Sequence, residues 1–166
     1  MGTGRPRRPS TRKLPRLDPH AAPGRQHRGD IMSEQTRSAL MSRIRGKNTG
    51  PEMAVAQILL TLGFKPETHA KDLSGCPDFV FRDLRVVIFV DGDFWHGWRF
   101  PAWRLKLSEK WERKIEATRR RDRRNHAKLR RAGWVVVRLW EHQVQGFPEI
   151  VRSRIEAALS HPRNSA

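Results

Sequence analysis

Apolar residues recur at helical spacing between Pro51 and Gly63, and the pattern then changes to that of a strand. Proline suits the first turn of a helix, and glycine is typical of the residue that follows one. We therefore expect a helix over this segment. Phe64–Thr68 is predicted to form a short strand, and Asp72–Gly75 is predicted to form a turn.

Three more segments have the composition of strands. Asp78–Phe81 and Val86–Asp91 are predicted to be neighbouring strands, joined by a tight turn at Arg82–Arg85. The second of these is apolar at every position from Val86 to Val90, so we expect a central strand that is buried on both faces. Trp134–Trp140 predicts another buried strand.

Two helices are predicted in the second half of the chain. A long, highly charged helix should run from about Ser108 to Arg131 and end near Gly133, and an amphipathic helix should close the chain over Phe147–Leu159. Residues 92–106, between the strand that ends at Asp91 and the long helix, are irregular and aromatic. The order α-β-β-β-α-β-α predicts an α/β fold, in which helices flank a small mixed sheet.

The first 31 residues differ in composition from the rest. They carry eight basic residues and five prolines, without apolar periodicity. We interpret residues 1–31 as a disordered basic arm ahead of one domain over residues 32–166. The arm either adds nonspecific DNA affinity or is not translated, in which case Met32 is the true start. Residues 33–50 predict a short basic helix followed by a loop.

The charge of the chain indicates a polyanionic partner. There are 34 Lys and Arg residues against 17 Asp and Glu, a net charge of +17. Nucleic acid is the first candidate, because Lys and Arg make most phosphate contacts. No apolar run approaches the roughly 20 residues that span a bilayer. The single cysteine excludes an internal disulfide and a multi-cysteine zinc site. Without a secretory pattern, we expect a cytoplasmic protein.

Two carboxylates are predicted to meet at the edge of the sheet. Asp78 begins one strand and Asp91 ends the next, so their side chains should lie close together. Such a pair can hold Mg²⁺, which prefers oxygen ligands. Glu52, on the first helix, is a third oxygen group that can reach this place through a water. The alternative is that Asp78 only caps a strand entry.

A histidine and a further carboxylate complete the predicted catalytic group. His96 follows the Asp91 strand in a loop, where imidazole can act as a general acid or base near neutral pH. Asp122, on the long helix, can orient His96. The alternatives are a hydrogen-bonded loop histidine and an ordinary ion pair within the helix.

Aromatic and basic residues suggest how DNA is held. For Phe94 and Trp95 we favour insertion into the duplex, whereas Trp98 and Trp103 serve equally well as DNA contacts or as core packing. Between residues 104 and 131 there are thirteen basic and four acidic residues. At least one stripe of this helix should track a phosphate backbone. The predicted contacts are Arg119, Arg120, Arg123 and Arg124.

In these motifs the chain resembles the very-short-patch repair mismatch endonucleases, from about Ser33 to Leu159. The resemblance rests on an ordered set of segments: TRSALMSRIRGKNT, PEMAVAQILLTLGF, GCPDFVF, VVIFVDGDFWHG, WERKIEATRRRDRR and LRRAGWVVVRLWE. It implies the three-layer α-β-α core of the PD-(D/E)xK restriction endonucleases. It also implies Mg²⁺-dependent nicking of DNA beside a T·G mismatch, which arises by deamination of 5-methylcytosine.

The resemblance assigns roles to residues that match the family's motifs. Asp78 matches the metal aspartate, and Val90 matches a position whose backbone carbonyl contacts the metal. His96 matches the catalytic histidine, Asp122 its supporting carboxylate, and Glu52 a water-linked acidic residue. The aromatics that enter the duplex beside the mismatch are matched by Phe94, Trp95 and Trp111.

The chain also departs from the family's pattern. Val90 and Asp91 stand where the best-known members have Thr and His, and we expect Asp91 to take part in the metal site. The family's structural zinc positions are occupied here by Asp93, Trp98, Phe100 and His142. At most two of these can bind zinc, so we expect that no structural zinc is present. Thr118 replaces a family asparagine.

Three functions are compatible with these residues. The first is a mismatch-directed nicking enzyme, expected to be a monomer associated with the nucleoid and linked to a cytosine-5 DNA methyltransferase and mismatch-repair proteins. The second is a restriction or recombination nuclease on the same core. The third is a noncatalytic DNA-binding module.

Overall fold

The computed structural model of the protein describes residues 48–160. The predicted arm over residues 1–31 and most of the basic segment predicted over residues 33–50 lie outside these residues. The four strands are β1 Glu67–Thr68, β2 Phe79–Phe81, β3 Val86–Asp91 and β4 Val135–Trp140. The helices are α1 Gly50–Thr61, α2 Phe100–Trp103, α3 Glu109–Arg131, α4 Glu141–Gly146 and α5 Pro148–Ser160.

The strands form one mixed sheet in the order β1-β2-β3-β4. β1 and β2 run antiparallel, as do β2 and β3, whereas β3 and β4 are parallel. The crossover from β3 to β4 contains α3, as a parallel connection requires. This arrangement confirms the predicted class, a mixed sheet with helices.

Helices cover both faces of the sheet. On one face, Val86 and Ile88 of β3 pack into a core with α1, α4 and α5. On the other face, Val87 and Phe89 pack with Leu129 of α3. Asp91 has the same strand parity as Val87 and Phe89, so its carboxylate lies on the α3 side of the sheet.

Some predicted elements differ from those observed. β1 is shorter than the predicted strand Phe64–Thr68. β4 is an edge strand whose residues are half-buried except for Val137 and Leu139, so the prediction of a buried strand holds for only part of it. The irregular segment over residues 92–106 contains α2 and the 3-10 turn Arg104–Lys106, and α4 was not predicted. None of the helices within residues 48–160 is long and apolar enough to cross a membrane.

Candidate active site

The carboxyl group of Asp78 lies at the entrance to β2, and its Oδ2 accepts a hydrogen bond from the backbone N–H of Val90 at 2.7 Å. Burial raises the pKa of Asp78 to about 7, against the opposing effect of the Val90 hydrogen bond. The negative charges of Glu52 and Asp91 raise this pKa further, and His96 lowers it. A bound cation would stabilise the charged form of this buried carboxyl group.

Glu52 is buried at the start of α1, where it also caps the helix. Its Oε2 accepts from the backbone N–H of Asn48 at 2.9 Å, and its Oε1 accepts from the hydroxyl of Thr49 at 2.8 Å. Thr49 is the residue before the helix, so the pair forms a capping arrangement of the Thr-x-x-Glu type. The caps fix the carboxylate in the direction of Asp78.

A histidine that the sequence reasoning did not identify lies between these two carboxylates. Nδ1 of His69 is 3.9 Å from Oδ1 of Asp78, and Nε2 is 3.8 Å from Oε2 of Glu52. Each of the three residues offers a ligand atom within 4.8 Å of the others, a spacing that suits a metal ion. We call Glu52, His69 and Asp78 the acidic–histidine group.

His96 and Asp122 lie in direct contact. Nδ1 of His96 is 2.7 Å from Oδ2 of Asp122 on α3 and 3.2 Å from Oδ1 of Asp91. Burial would raise the pKa of Asp122, but the hydrogen bond with His96 and the positive charges of Arg121 and Arg138 hold it below its ordinary value. Asp122 is therefore a stable carboxylate acceptor for the imidazole.

Arg138 joins Asp91 and Asp122 from the neighbouring strand. Its Nε donates to Oδ2 of Asp91, and its Nη2 lies 3.5 Å from Oδ2 of Asp122. The guanidinium also stacks over the ring of Trp140 at 4.2 Å. Asp91 thus faces Arg138 and His96, and it is not one of the residues of the acidic–histidine group.

Close packing of the loop after β3 places His96 against α3. Gly97 has φ +68°, and a Cβ there would lie 2.6 Å from Cδ of Arg119 and 3.0 Å from Cγ2 of Ile115. Any other residue would strain the backbone at this φ and would force the Arg119 side chain or the loop to move. Beside this loop lies a cleft of about 310 Å³. It is lined by Gly75, Cys76, Phe89, Asp91, His96, Arg121, Asp122, Asn125 and His126.

Four aromatic rings form a partly buried cluster next to His96, and three of them pack on a small core of Phe100, Leu107 and Ile115. Phe94 contacts Trp95 at 5.2 Å and stacks on Trp103 at 5.6 Å, and Trp95 contacts Trp111 at 5.6 Å. These four residues are called the aromatic cluster below. The ammonium of Lys114 lies 4.9 Å from the ring of Trp111. The three residues predicted to enter DNA are therefore adjacent in space.

The four side chains at the zinc positions expected from the resemblance pack against neighbouring rings or hydrogen-bond to each other. Nδ1 of His142 is 2.7 Å from Oδ1 of Asp93. Trp98 packs on His142 and on Trp140, with ring centroids 4.7 and 4.9 Å away, and Phe100 is buried. Two of these four side chains cannot bind metal, so the set does not fit a four-ligand zinc site.

The predicted DNA-contacting arginines lie on more than one side of α3. Arg120, Arg123 and Arg124 are exposed, and Arg120 pairs with Glu116 at 2.9 Å. Arg119 instead lies against the loop, with its guanidinium 5.1 Å from the ring of Phe100. A phosphate backbone on α3 would thus meet three free or exchangeable guanidinium groups.

Sequence patterns did not predict that His69 and Arg138 belong to the candidate site, for two different reasons. His69 is next to Asp78 because β1 pairs with β2 in the register Thr68↔Phe79, which the sequence does not specify. Arg138 carried a usable signal, because a charge inside an apolar strand needs a buried partner.

Comparison with known proteins identifies relatives of this chain. The family model for the DNA mismatch endonuclease Vsr matches residues 29–101. The type II nicking enzyme V.XorIIP of Xanthomonas oryzae pv. oryzae is 44% identical over 114 residues, which are 68% of this chain and 84% of the relative. The DNA mismatch endonuclease Vsr of Escherichia coli is 35% identical over 122 residues, 70% and 76% of the two chains. The type II nicking enzyme V.HpaIIP of Haemophilus parainfluenzae is 32% identical over 132 residues, 78% and 94%.

Proposed function

The chain belongs to the Vsr family of DNA mismatch endonucleases, and we propose that it nicks one strand of duplex DNA beside a T·G mismatch left by deamination of 5-methylcytosine. The observation that carries this proposal is the contact between His96 and Asp122 beside the desolvated carboxyl of Asp78. A positioned imidazole can act as a general acid or base, and a nearby aspartate can bind a metal ion. Together these groups can catalyse phosphodiester hydrolysis.

Asp78 is proposed to hold Mg²⁺, with the backbone carbonyl of Val90 as a second oxygen ligand and Glu52 as a carboxylate that acts through water. Oxygen groups of this kind fit Mg²⁺, which keeps several waters when bound to protein. When bound, the ion polarises the scissile phosphate and lowers the pKa of an attacking water. The sequence also predicted Asp91 as a metal ligand, but its contact with Arg138 favours a role beside His96.

His96 is proposed to move the proton in the reaction. With the proton on Nδ1 directed at Asp122, Nε2 keeps its lone pair and can take a proton from the attacking water. In the protonated form, the same ring can give a proton to the leaving oxygen. Asp122 holds the ring orientation and Asp91 supplies a second carboxylate at 3.2 Å.

The aromatic cluster is proposed to open the duplex at the mismatch. Phe94, Trp95 and Trp111 present rings beside His96, and a mismatched step costs less to unstack than a paired one. Arg120, Arg123 and Arg124 on α3, with a contribution from Arg119, would hold the phosphates on either side. Base recognition and chemistry would then occur at adjacent places on one surface.

The wider setting follows from the family and remains a proposal. We assign the mixed sheet and its flanking helices to the restriction-endonuclease-like fold. We expect a monomeric domain over residues 32–166, cytoplasmic and associated with the nucleoid. A cytosine-5 DNA methyltransferase would generate the lesion, and mismatch-repair proteins would act alongside. The residues at the family's zinc positions do not fit that ion, so no step depends on it.

A panel of duplexes tests the substrate. Matched DNAs carrying T·G, other mismatches, only paired bases or a branch would be incubated with the full chain and Mg²⁺, each strand labelled separately. The proposal expects one nick in the T-containing strand of the T·G duplex. Equal cutting of paired DNA would instead indicate a restriction enzyme, and preference for the branch a recombination nuclease. Binding without cutting in Mg²⁺ or Mn²⁺ would indicate a noncatalytic module.

A further inference from the structure

We propose that His69 supplies a nitrogen ligand to the metal held by Asp78, and that this nitrogen favours ions such as Co²⁺ over Mg²⁺. The inference rests on the proposed function, because it concerns the same metal centre. It adds a residue that neither the motifs nor the family resemblance assigned to that centre.

The distances around His69 are too long for hydrogen bonds and short enough for a shared ion. Nδ1 lies 3.9 Å from Oδ1 of Asp78, whereas an N–H···O hydrogen bond is about 2.7–3.2 Å long. Two ligands of one ion, each about 2.1 Å away, lie no more than about 4.2 Å apart. The Nδ1–Oδ1 separation therefore leaves room for an ion that both atoms contact.

The other ring nitrogen faces a carboxylate, as in many metal-bound histidines. Nε2 of His69 lies 3.8 Å from Oε2 of Glu52, whose carboxylate is fixed by Asn48 and Thr49. A histidine bound to metal through one nitrogen usually directs its other N–H at such a group, which sets the tautomer. At this distance Glu52 would orient His69 through a bridging water, and it would also contact metal-bound water.

The backbone holds His69 in place before any ion binds. Its N–H donates to the carbonyl oxygen of Asp78 at 3.1 Å, and its φ is +52°, a left-handed conformation that residues other than glycine seldom adopt. The ring is mostly buried, with 21% of the side chain exposed. A conformation of this kind persists only where the surroundings enforce it.

The nitrogen ligand from His69 should change which metal ions the site prefers. Mg²⁺ takes oxygen ligands, whereas imidazole binds later first-row ions, and affinity for a given site rises from Mn²⁺ to Co²⁺. Losing one imidazole should weaken Co²⁺ binding by about tenfold or more, equivalent to about 1.4 kcal/mol. Mg²⁺ binding should change by much less.

The test measures metal binding by the full chain without DNA. Co²⁺ would be titrated by visible absorption and Mg²⁺ by competition, for wild type, Asp78→Asn, His69→Asn and His142→Gln. Asparagine is chosen at position 69 because it tolerates left-handed backbone. His142→Gln is the matched control, since its imidazole bonds Asp93 outside the acidic–histidine group. We expect His69→Asn to lower the Co²⁺/Mg²⁺ affinity ratio about tenfold and His142→Gln to leave it unchanged.

The outcomes separate this inference from the proposed function. An unchanged ratio in a folded His69→Asn variant, with Asp78→Asn losing both ions, would overturn the role of His69 alone. Wild type that binds neither ion and nicks DNA in chelator would overturn the metal-dependent mechanism itself. If His69→Asn fails to fold, paramagnetic NMR of the Co²⁺-loaded His142→Gln protein decides. One strongly shifted imidazole N–H that disappears with Asp78→Asn supports the inference, and none overturns it.

Discussion

Arg138 on β4 binds the buried carboxylate of Asp91 on β3. In the parallel register Arg138 lies opposite Phe89, and Asp91 is two residues beyond Phe89 on the same face of the sheet. The contact explains why an arginine stands inside an apolar strand. It also holds the carboxylate of Asp91 beside His96, so that Asp91 and Asp122 both face the same imidazole nitrogen.

The Asp91–Arg138 pair should behave as one unit in stability measurements. Removing either charge leaves the other with a single longer contact, His96 for Asp91 or Asp122 for Arg138. Asp91→Asn and Arg138→Met should therefore each lower the free energy of unfolding by about 2 kcal/mol. The double variant should lose clearly less than the sum of the two. Urea unfolding of the three variants measures this coupling. Strictly additive losses would show that Asp91 has another principal partner.

Asp78 should make the stability of the metal-free protein depend on pH. Its pKa is raised from 3.8 to about 7 on folding, so the unfolded chain releases this proton at lower pH than the folded one. Stability is therefore lost as pH rises from about 4 to 7. Asp78→Asn should match wild type near pH 4 and exceed it above pH 7 by up to about 4 kcal/mol.

Thermal unfolding in chelator over this pH range is the measurement for Asp78. Asp83→Asn is the control, because Asp83 is exposed in the turn between β2 and β3. Added Mg²⁺ should restore wild-type stability above pH 7. A pH profile that is the same for wild type and Asp78→Asn would contradict the assignment of a raised pKa.

Asp122 should matter for the rate and not for DNA affinity. An amide in its place cannot stabilise the imidazolium of His96 and can impose the wrong tautomer, so Asp122→Asn should slow nicking at least about 100-fold. Single-turnover nicking and fluorescence anisotropy, compared with Asp83→Asn, separate the two effects. A proportional loss of binding would mean that Asp122 only supports the fold of the DNA surface.

The aromatic cluster should control discrimination between mismatched and paired DNA. Stacking on a base contributes about 1–3 kcal/mol, so Trp95→Ala should weaken binding to a T·G duplex about tenfold while changing paired-duplex binding little. Phe147→Ala is the aromatic control, since Phe147 is exposed next to α5 and outside the cluster. Equal loss on both duplexes would assign Trp95 to general packing or affinity.

The sequence predicted those helices and strands whose buried faces leave a clear pattern of apolar residues. The unbroken apolar run of β3 correctly indicated a central strand, because only a strand covered on both faces is apolar throughout. The edge position of β4 was not predictable in the same way, since its Val and Leu content resembles that of an interior strand. Helix α4 was missed because six residues carry too little periodicity.

The site was predictable where motifs are local in sequence. Asp78, His96 and Asp122 were predicted as site residues from strand ends, loop position and resemblance, and the structure brings His96 and Asp122 into contact. The position of His69 beside Asp78 depends on the pairing of β1 with β2, which no local pattern encodes. The sequence does mark Arg138 as a charge inside an apolar strand, but its partner Asp91 follows only from the pairing of β3 with β4.

Strand-specific nicking of a T·G duplex by wild type and Asp78→Asn is the most direct test of the central claim. The full chain, freed of metal, would be assayed in chelator and then across a Mg²⁺ titration, with DNA binding measured in parallel. The account predicts that wild type nicks only when Mg²⁺ is added, and that Asp78→Asn binds the duplex but cuts at least about 1,000-fold more slowly. Cutting by Asp78→Asn at the wild-type rate, or wild-type cutting in chelator, would contradict it.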